Sequence, residues 1–525
     1  MLNSKSVDPY VYPETLDLTS QDFAPFSSIS FYSTMTPIAF NFTVIHPLSS
    51  SLTVKKINWK TENEFIKRCL VVDHEHSNQN VPYYSLIRMK ISVKHTTECK
   101  FASAEGENIK TTISFQETNQ TANYSLILNL IQTPAREERI LIDAFHNLKF
   151  PEDGYILRDS IFIDKQPYEW KGDHVFTNYM QLYTFLNSQG YYIEILNEPL
   201  TCFDSNNYGT LMLADPEKGL SRNEIIKLRR DIETRGLSLV IIAEWSDSTM
   251  MDKHTFTSEF TRKVWKPLIA GSNLQSINTL LRPYGIMFKE SSYSGTIAVG
   301  EEKFKVESGA ILQKFPNKGY LFSGKLVEDA VAIQKIDEFD EIGDEIHPMV
   351  GIYDLSDENN SIKSGSILAI GDSYCIESAA PVNCFNMISE FISSQKQKYK
   401  QSLLYSEEHR LKYDFNSDLN EAPFQEKYRQ EVDKCSGTNY FSLKDEMHSS
   451  FQLANTVEFI TKWEVTDDAK YVYIGDNWLT DLSFKYEIIF LSVIALLIMC
   501  SLAFYIWYQR KRNIQYMKIV PDVDI

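Results

Sequence analysis

The sequence predicts a multidomain chain: an antiparallel β-sandwich, then a doubly wound α/β domain, then a polar stalk and a single transmembrane helix. Three observations carry that expectation. Apolar and polar residues alternate with period two before residue 135, strand and helix signatures alternate over 136–395, and residues 488–508 carry no charge. A chain of 525 residues accommodates several such units at about 150 residues per domain.

The first unit is placed at 1–135. Ile87, Met89, Ile91 and Val93 alternate with Arg88, Lys90, Ser92 and Lys94, and Tyr124, Leu126, Leu128 and Leu130 form a second series. Successive strand side chains point to opposite faces, so this pattern gives one apolar face and one wet one. More strand-like runs at 40–46, 52–58 and 110–116, with no convincing helix among them, imply two packed sheets. Asp73-His74-Glu75-His76 holds a His-x-His pair that would put both rings on one side of a strand. No third ligand accompanies it, and the stretch reads as a polar loop.

The second unit, 136–395, changes character. Arg139 to Asp143 reads as a buried strand, Thr177 as the cap of a helix that Gly190 stops, and Tyr192–Leu196 and Gly209–Leu213 as further strands. Ser221-Arg-Asn-Glu224 is a capping box, in which hydroxyl and carboxylate satisfy free helix-end amides. Ile225, Leu228 and Ile232 then share one helix face, and Gly236 ends the helix. Leu237–Ala243 is apolar but for Ser238, as a central parallel strand should be, Ser366–Ile370 repeats the pattern, and a helix over 382–394 closes the unit. This alternation predicts a doubly wound sheet.

Residues 396–487 are polar with weak periodicity and read as a stalk, with a small β element at Tyr471–Ile474. The uncharged run 488–508 would span about 31 Å as a helix, the thickness of a bilayer core. Arg510, Lys511 and Arg512 follow it, while Asp481, Lys485 and Glu487 precede it. The excess of basic residues on the far side places the 509–525 tail in the cytosol and residues 1–487 in a lumen. Four Asn-x-Ser/Thr sequons, at Asn41, Asn119, Asn123 and Asn359, all precede the apolar run and are expected glycosylation sites. The opening MLNSKSVDPY has no apolar core of a signal peptide, so the chain is expected to begin part-way through a longer product.

Composition removes some functions. Lys and Arg number 52 against 70 Asp and Glu, a net charge of −18, which excludes a protein that binds nucleic acid by neutralising phosphates. Seven cysteines without a Cys-x-x-Cys exclude a disulfide-dense scaffold and a zinc site of the usual spacing. Cys375 and Cys384, between a strand and a helix, are expected to be bridged. Cys69 and Cys99 share the β-rich region, Cys500 lies in the apolar run, and Cys202 and Cys435 have no evident partner.

The search for chemistry leaves weak candidates. Gly-x-Ser-x-Gly, His-Glu-x-x-His, a phosphate-binding loop and the Gly-Thr-Ser loop of subtilisin-type enzymes are absent. Gly371-Asp372-Ser373 ends a predicted strand, where ligands and nucleophiles collect in open α/β sheets. It lies on the last strand, however, and Tyr374-Cys375 after it suggests a disulfide-held turn. A second group, Asp143, His146, Asn147, Arg158, Asp159, Asp173 and His174, has the residue types for metal binding or proton transfer. It reads equally as buried hydrogen-bonding residues that fix the loop after the first strand. A glutamine amidotransferase would carry its nucleophile after the central strand. Here Ala243 is followed by Glu-Trp-Ser-Asp, so the domain reads as glutamine-amidotransferase-like without catalytic residues.

Residues 146–159, HNLKFPEDGYILRD, resemble the post-catalytic region of the site-1 proteases, a family of subtilisin-like proprotein convertases. Trp170-Lys-Gly-Asp-His174, Thr177-Asn178, Thr201-Cys-Phe-Asp204, Tyr208-Gly-Thr210, Lys227-Leu-Arg-Arg-Asp231, Gly236–Ile241 and Gly371-Asp-Ser373 with Cys375 and Cys384 continue the resemblance in order. The β region from Leu16-Asp-Leu-Thr19 resembles the family's domain that precedes its α/β domain. The resemblance implies the noncatalytic lumenal and anchoring portion of an ER/Golgi membrane serine endopeptidase. Such an enzyme cleaves membrane-bound transcription factor precursors after sites with Arg at P4 and a hydrophobic residue at P2. The Asp/His/Ser triad and the calcium of the family's catalytic domain have no counterpart here, so no cofactor is expected. The implied partners are the lipid bilayer, the precursors, and a catalytic half or full-length protease. A pseudoenzyme that binds or regulates, and an independent α/β hydrolase, are the competing readings.

Overall fold

The computed structural model describes residues 8–19, 30–45, 52–76, 84–117, 119–147, 175, 178–253, 255–257, 262–265, 270–299, 302–329, 346–355, 364–378, 380, 382–394, 403–417, 426, 428–429, 434–435 and 439–440.

Residues 10–130 form two facing sheets. One has the order β1 (Tyr10–Tyr12), β4 (Ile38–Ile45), β7 (Tyr84–Val93), β6 (Leu70–His76). The other has the order β2 (Thr15–Asp17), β9 (Thr121–Leu130), β8 (Ala104–Phe115), β5 (Val54–Lys60), with β3 (Ser30–Phe31) also on β9. Ile87, Met89, Ile91 and Val93 meet Tyr124, Leu126, Leu128 and Leu130 in one core. The period-two pattern therefore buries the predicted face. Two details differ from expectation. A short helix, Glu64–Cys69, is capped by Asn63, whose side chain accepts from the amides of Phe65 and Ile66. Asp73-His74-Glu75-His76 lies on edge strand β6 rather than in a polar loop. An edge strand has only one neighbouring strand to satisfy, so its charged residues imitate a loop in sequence.

The second domain is built on a nine-stranded mixed sheet. Five parallel strands come first in the order β11 (Tyr192–Leu196), β10 (Arg139–Asp143), β12 (Thr210–Ala214), β13 (Ser238–Ile242), β22 (Ser366–Ile370). Four antiparallel strands extend it: β21 (Ile346–Asp354), β20 (Tyr320–Glu328), β17 (Tyr293–Val299) and β18 (Glu302–Gly309). Alternate residues of the parallel strands feed two cores. Ile140, Ile142, Met212, Val240 and Leu368 pack with helices Met180–Ser188 and Phe385–Ser394. Leu141, Leu211, Leu239, Ile241 and Ile367 pack with helices Arg222–Arg235 and Leu274–Leu281. Helices on both faces explain why β10, β12, β13 and β22 carry consecutive apolar residues, such as Ile140–Ile142 and Leu239–Ile242, rather than an alternation. The capping box of Ser221 and Glu224 opens the Arg222–Arg235 helix, and Gly236, left-handed at φ 65°, closes it. Thr177 lies outside the described residues; the helix before β11 runs Met180–Ser188 with Tyr179 as its N-cap residue. The antiparallel extension was not expected from the sequence.

Smaller pairings complete the body: β14 (Phe256–Thr257) with β15 (Val264–Trp265), and β16 (Met287–Phe288) with β19 (Leu312–Phe315) and β23 (Phe415–Asn416). The expected stalk is corrected over its first part. Leu404 and Tyr405 are buried in the α/β core, β23 pairs with β19, Cys435 is bonded to Cys202, and β24 (Asn439–Tyr440) pairs with β4. Polar sequence hid this because the apolar contacts of Leu404, Tyr405, Leu411 and Phe415 follow no helix or strand period and the rest of the attachment uses backbone pairing and a disulfide. The apolar run 488–508 and Tyr471–Ile474 lie outside the described residues. Among the described residues no helix is long and apolar enough to cross a membrane.

The sandwich and the α/β domain meet on a buried carboxylate. Glu194 of β11 accepts hydrogen bonds from the Tyr32 hydroxyl, the Thr36 amide at 3.1 Å and the Tyr208 hydroxyl at 2.7 Å. Arg139 Nη1 donates to Thr34 Oγ1 at 2.7 Å beside them. Burial raises the Glu194 pKa, against the lowering effect of these hydrogen bonds and of Arg139.

Candidate functional site

Ligands of an open α/β sheet sit outside the carboxyl ends of the strands, where the strand order reverses. Here that point lies between β10 and β12, because β11 is on one side of β10 and the later strands are on the other. Ile142, Asp143, Ala144, Asn147, Tyr179 and Ala214 line a crevice there of about 10 Å³. That is room for about one water, far below the several hundred Å³ of a small-molecule pocket.

His146 sits beside the crevice, held by the turn that leaves β10. The amides of Phe145 and His146 each donate to the Asp143 carboxylate at 3.3 Å. His146 Nδ1 lies 2.8 Å from Asp143 Oδ2, and Nε2 lies 3.2 Å from Glu224 Oε1 as an ion pair. All three side chains are buried. Glu224 also accepts from the amides of Leu200 at 2.9 Å and Ser221 at 2.6 Å, and Arg429 Nη2 lies 3.4 Å away. Burial lowers the His146 pKa, but the charge and hydrogen bond of Asp143, with Glu224, overcome it and raise it to about 9. Burial likewise raises Glu224, and His146 with the surrounding amides brings it down to about 2. The group is thus an imidazolium clamped between two carboxylates. A general base must be neutral and must reach a substrate proton, and His146 is neither neutral at pH 7 nor exposed.

Ser373 is held elsewhere along the strand ends. It is buried; its amide donates to Glu244 Oε1 at 2.6 Å, and its hydroxyl makes no hydrogen bond among the described residues. Glu244 occupies the elbow after the central strand β13, where a nucleophile would stand. Its amide donates to Ser272 Oγ at 2.6 Å, and Ser272 donates to Asp215 Oδ1. Asp215, Ser272, Glu244 and Ser373 therefore stitch together the ends of β12, β13 and β22. Space around the stitch is closed: a Cβ on Gly271 would lie 2.5 Å from Glu244 Cβ, and one on Gly371 would lie 1.8 Å from the Ala310 carbonyl.

The structure thus brings Asp143 and His146 together and leaves Ser373 apart from them, since both His146 ring nitrogens face carboxylates. Arg158, Asp159, Asp173 and His174 lie outside the described residues. His74 Nε2 is 2.8 Å from the Tyr124 hydroxyl, and burial lowers its pKa to about 4, partly offset by Asp73. Among the described residues no cluster of three or more His, Cys, Asp or Glu is placed to hold a metal. The second role of Glu224, as counter-ion to His146, was missed because a capping box explains that residue already. Asp215 and Glu244 do have a signal in the sequence, an acid at or just beyond the end of an apolar strand: Asp143, Asp215, Glu244, Asp372.

Three disulfides join Cys69 to Cys99, Cys202 to Cys435 and Cys375 to Cys384. Of the sequons, Asn119 and Asn123 are exposed, Asn41 lies half-buried in β4, and Asn359 is outside the described residues.

Comparison with known proteins gives this architecture a lineage. Residues 12–132 match the domain described as "MBTPS1, third Ig-like domain", and residues 134–410 match "MBTPS1, fourth GATase-like domain". The chain is 30% identical over 403 residues to the membrane-bound transcription factor site-1 proteases of Homo sapiens and Mus musculus. It is also 30% identical over 407 residues to the subtilisin-like protease SBT6.1 of Arabidopsis thaliana. Each alignment covers 75% of this chain and 38% of the relative, so the chain spans well under half of their length. Two consecutive domains matched in order, with sequence identity running through both, show that the chain belongs to the site-1 protease family and corresponds to its C-terminal Ig-like and GATase-like domains.

Proposed function

We propose that this chain is the noncatalytic lumenal and membrane-anchoring portion of a site-1-protease-like serine endopeptidase that processes membrane-bound transcription factor precursors in the ER and Golgi. One observation carries the reading. The chain matches two domains of the family in order, while its own polar candidates are spent on one another: His146 on Asp143 and Glu224, and Glu244 on the Ser373 amide. The serine chemistry belongs to a catalytic domain outside this sequence, and any calcium belongs with it. The run 488–508 is the single bilayer anchor, the sequons mark the lumenal side, and the basic flank marks the cytosolic one.

A chimaera tests this. The region of the human relative upstream of its match to this chain is joined to the chain and expressed in cells lacking their own site-1 protease. Cleavage of a membrane-bound transcription factor precursor by the chimaera, and none by the chain alone, is expected. Cleavage by the chain alone would establish the independent-hydrolase reading. An inactive chimaera that still binds and inhibits the full-length human enzyme would establish the pseudoenzyme reading.

A further inference from the structure

The three disulfides differ in one physical respect. Cys69, Cys99, Cys375 and Cys384 are 0%, 3%, 4% and 0% exposed. Cys202 is half-exposed and Cys435 is exposed. Thiol–disulfide exchange needs a thiolate to approach a sulfur along the S–S axis, so access decides which bond reacts.

The position of the open bond gives its reaction a consequence. Cys202 ends the turn Leu200–Cys202, whose Leu200 amide is held by Glu224. Cys435 lies 233 positions further on, between two other attachments of the same late segment. Before it, the Arg429 amide donates to the Leu220 carbonyl at 3.2 Å and the Arg429 guanidinium meets Glu224. After it, β24 pairs in parallel with Ile38 and Ala39 of β4. The late segment is therefore fastened to both domains, and Cys202–Cys435 is its covalent fastening. A two-residue strand pairing is too short to hold by itself, since isolated strand pairs are marginal even at greater length. The chain beyond it leads to the apolar run 488–508.

We propose that Cys202–Cys435 is a thiol-exchange site for a dithiol reductant, and that opening it releases β24 from the sandwich while both domains stay folded. A thiolate of the dithiol attacks one sulfur, the S–S bond breaks, and the other cysteine leaves as a thiolate that takes up a proton. The second thiol of the reagent then resolves the mixed disulfide. Cys202 and Cys435 gain two electrons and two protons, and the dithiol becomes a disulfide.

The full chain, made in a secretory host and held in detergent, is treated with graded dithiothreitol, trapped with N-ethylmaleimide and mapped by mass spectrometry. Cys202 and Cys435 should be half-modified at a dithiol concentration about tenfold below that for the other four cysteines. Three bonds opening within about twofold of one another, or a buried bond opening first, would overturn the proposal. Hydrogen exchange on the same samples reads the consequence. The peptide that contains Asn439 and Tyr440 should exchange at least about tenfold faster at its slowest amide after selective opening, with Ser238–Ile242 unchanged. Unchanged exchange at Asn439 and Tyr440 would show that the bond is no fastening. The double variant Cys202→Ser, Cys435→Ser should reproduce the fast exchange. If it does not fold, the dithiol-treated wild type still gives the decisive reading.

Discussion

His146 Nδ1 lies 2.8 Å from Asp143 Oδ2 in a setting with no solvent access, and this contact ties folding stability to pH. The folded pKa of His146 is raised from 6.5 to about 9. The stabilisation is therefore fully present below pH 6.5 and is lost as pH rises through about 9. The shift corresponds to roughly 3 kcal/mol. Glu224 is depressed from 4.5 to about 2, so its side of the same cluster is lost as pH falls through that range. Urea midpoints should decline from about pH 6.5 towards pH 9. His146→Gln should abolish the alkaline decline while lowering stability at pH 6. An unchanged alkaline slope in that variant would refute the assignment.

Tyr32 and Glu194 join the two domains, and breaking that contact should uncouple them. Tyr32→Phe removes one donor from a buried carboxylate and should cost about 1–3 kcal/mol. Glu194→Ala leaves the Tyr32 hydroxyl and Thr36 amide without their acceptor, and the Tyr208 hydroxyl with only Thr36 Oγ1 at 3.3 Å, and should cost more, about 3–5 kcal/mol. With the junction emptied, sandwich and α/β domain should melt as two calorimetric transitions where the parent shows one. A single transition at an unchanged temperature in Glu194→Ala would show that the domains are held elsewhere.

The sequence was readable where structure follows from neighbours in the chain. Ile87 to Val93 alternate because a strand does, and Ser221, Glu224 and Gly236 mark a helix because its ends need partners. It was opaque where one residue serves a distant one. Glu224 meets His146 across 78 positions, and Glu244 meets Ser373 across 129, neither of which any local period encodes. Strand β17 buries Tyr293, Ile297 and Val299 but leaves Gly295 only half-buried at a bulge between Tyr293 and Gly295, so the antiparallel extension lacked a clean alternation. Cys202 and Cys435 stayed unpaired on paper because connectivity cannot be deduced from spacing.

Glycan occupancy should follow the sandwich surface. Asn119 is exposed between β8 and β9, and Asn123 is exposed on β9, beside Thr112, whose hydroxyl donates to it at 2.8 Å. Asn41 lies in β4 between β1 and β7, accepts from Arg88 Nε at 3.3 Å, and shares its sequon with buried Thr43. In a secretory host, Asn119→Gln should remove one glycan by gel shift and Asn41→Gln none. A glycan mapped to Asn41 by mass spectrometry, with Asn119 empty, would reverse this ordering.

The last prediction is that this chain alone hydrolyses no peptide bond, and that its elbow residue serves stability instead. A serine nucleophile needs a base within hydrogen-bond reach and an exposed oxygen. Ser373 is buried, its hydroxyl makes no hydrogen bond among the described residues, and His146 has both ring nitrogens on carboxylates. Ser373→Ala should therefore shift stability by under about 1 kcal/mol, since its amide, not its hydroxyl, makes the bond to Glu244. Glu244→Ala should be worse, about 1–3 kcal/mol, because the buried Ser373 amide loses its acceptor. Neither variant should alter the background rate on peptides with Arg at P4 and a hydrophobic P2 residue. Specific cleavage by the parent chain that Ser373→Ala abolishes would overturn the structural assignment of these strand ends and make the α/β domain an enzyme in its own right.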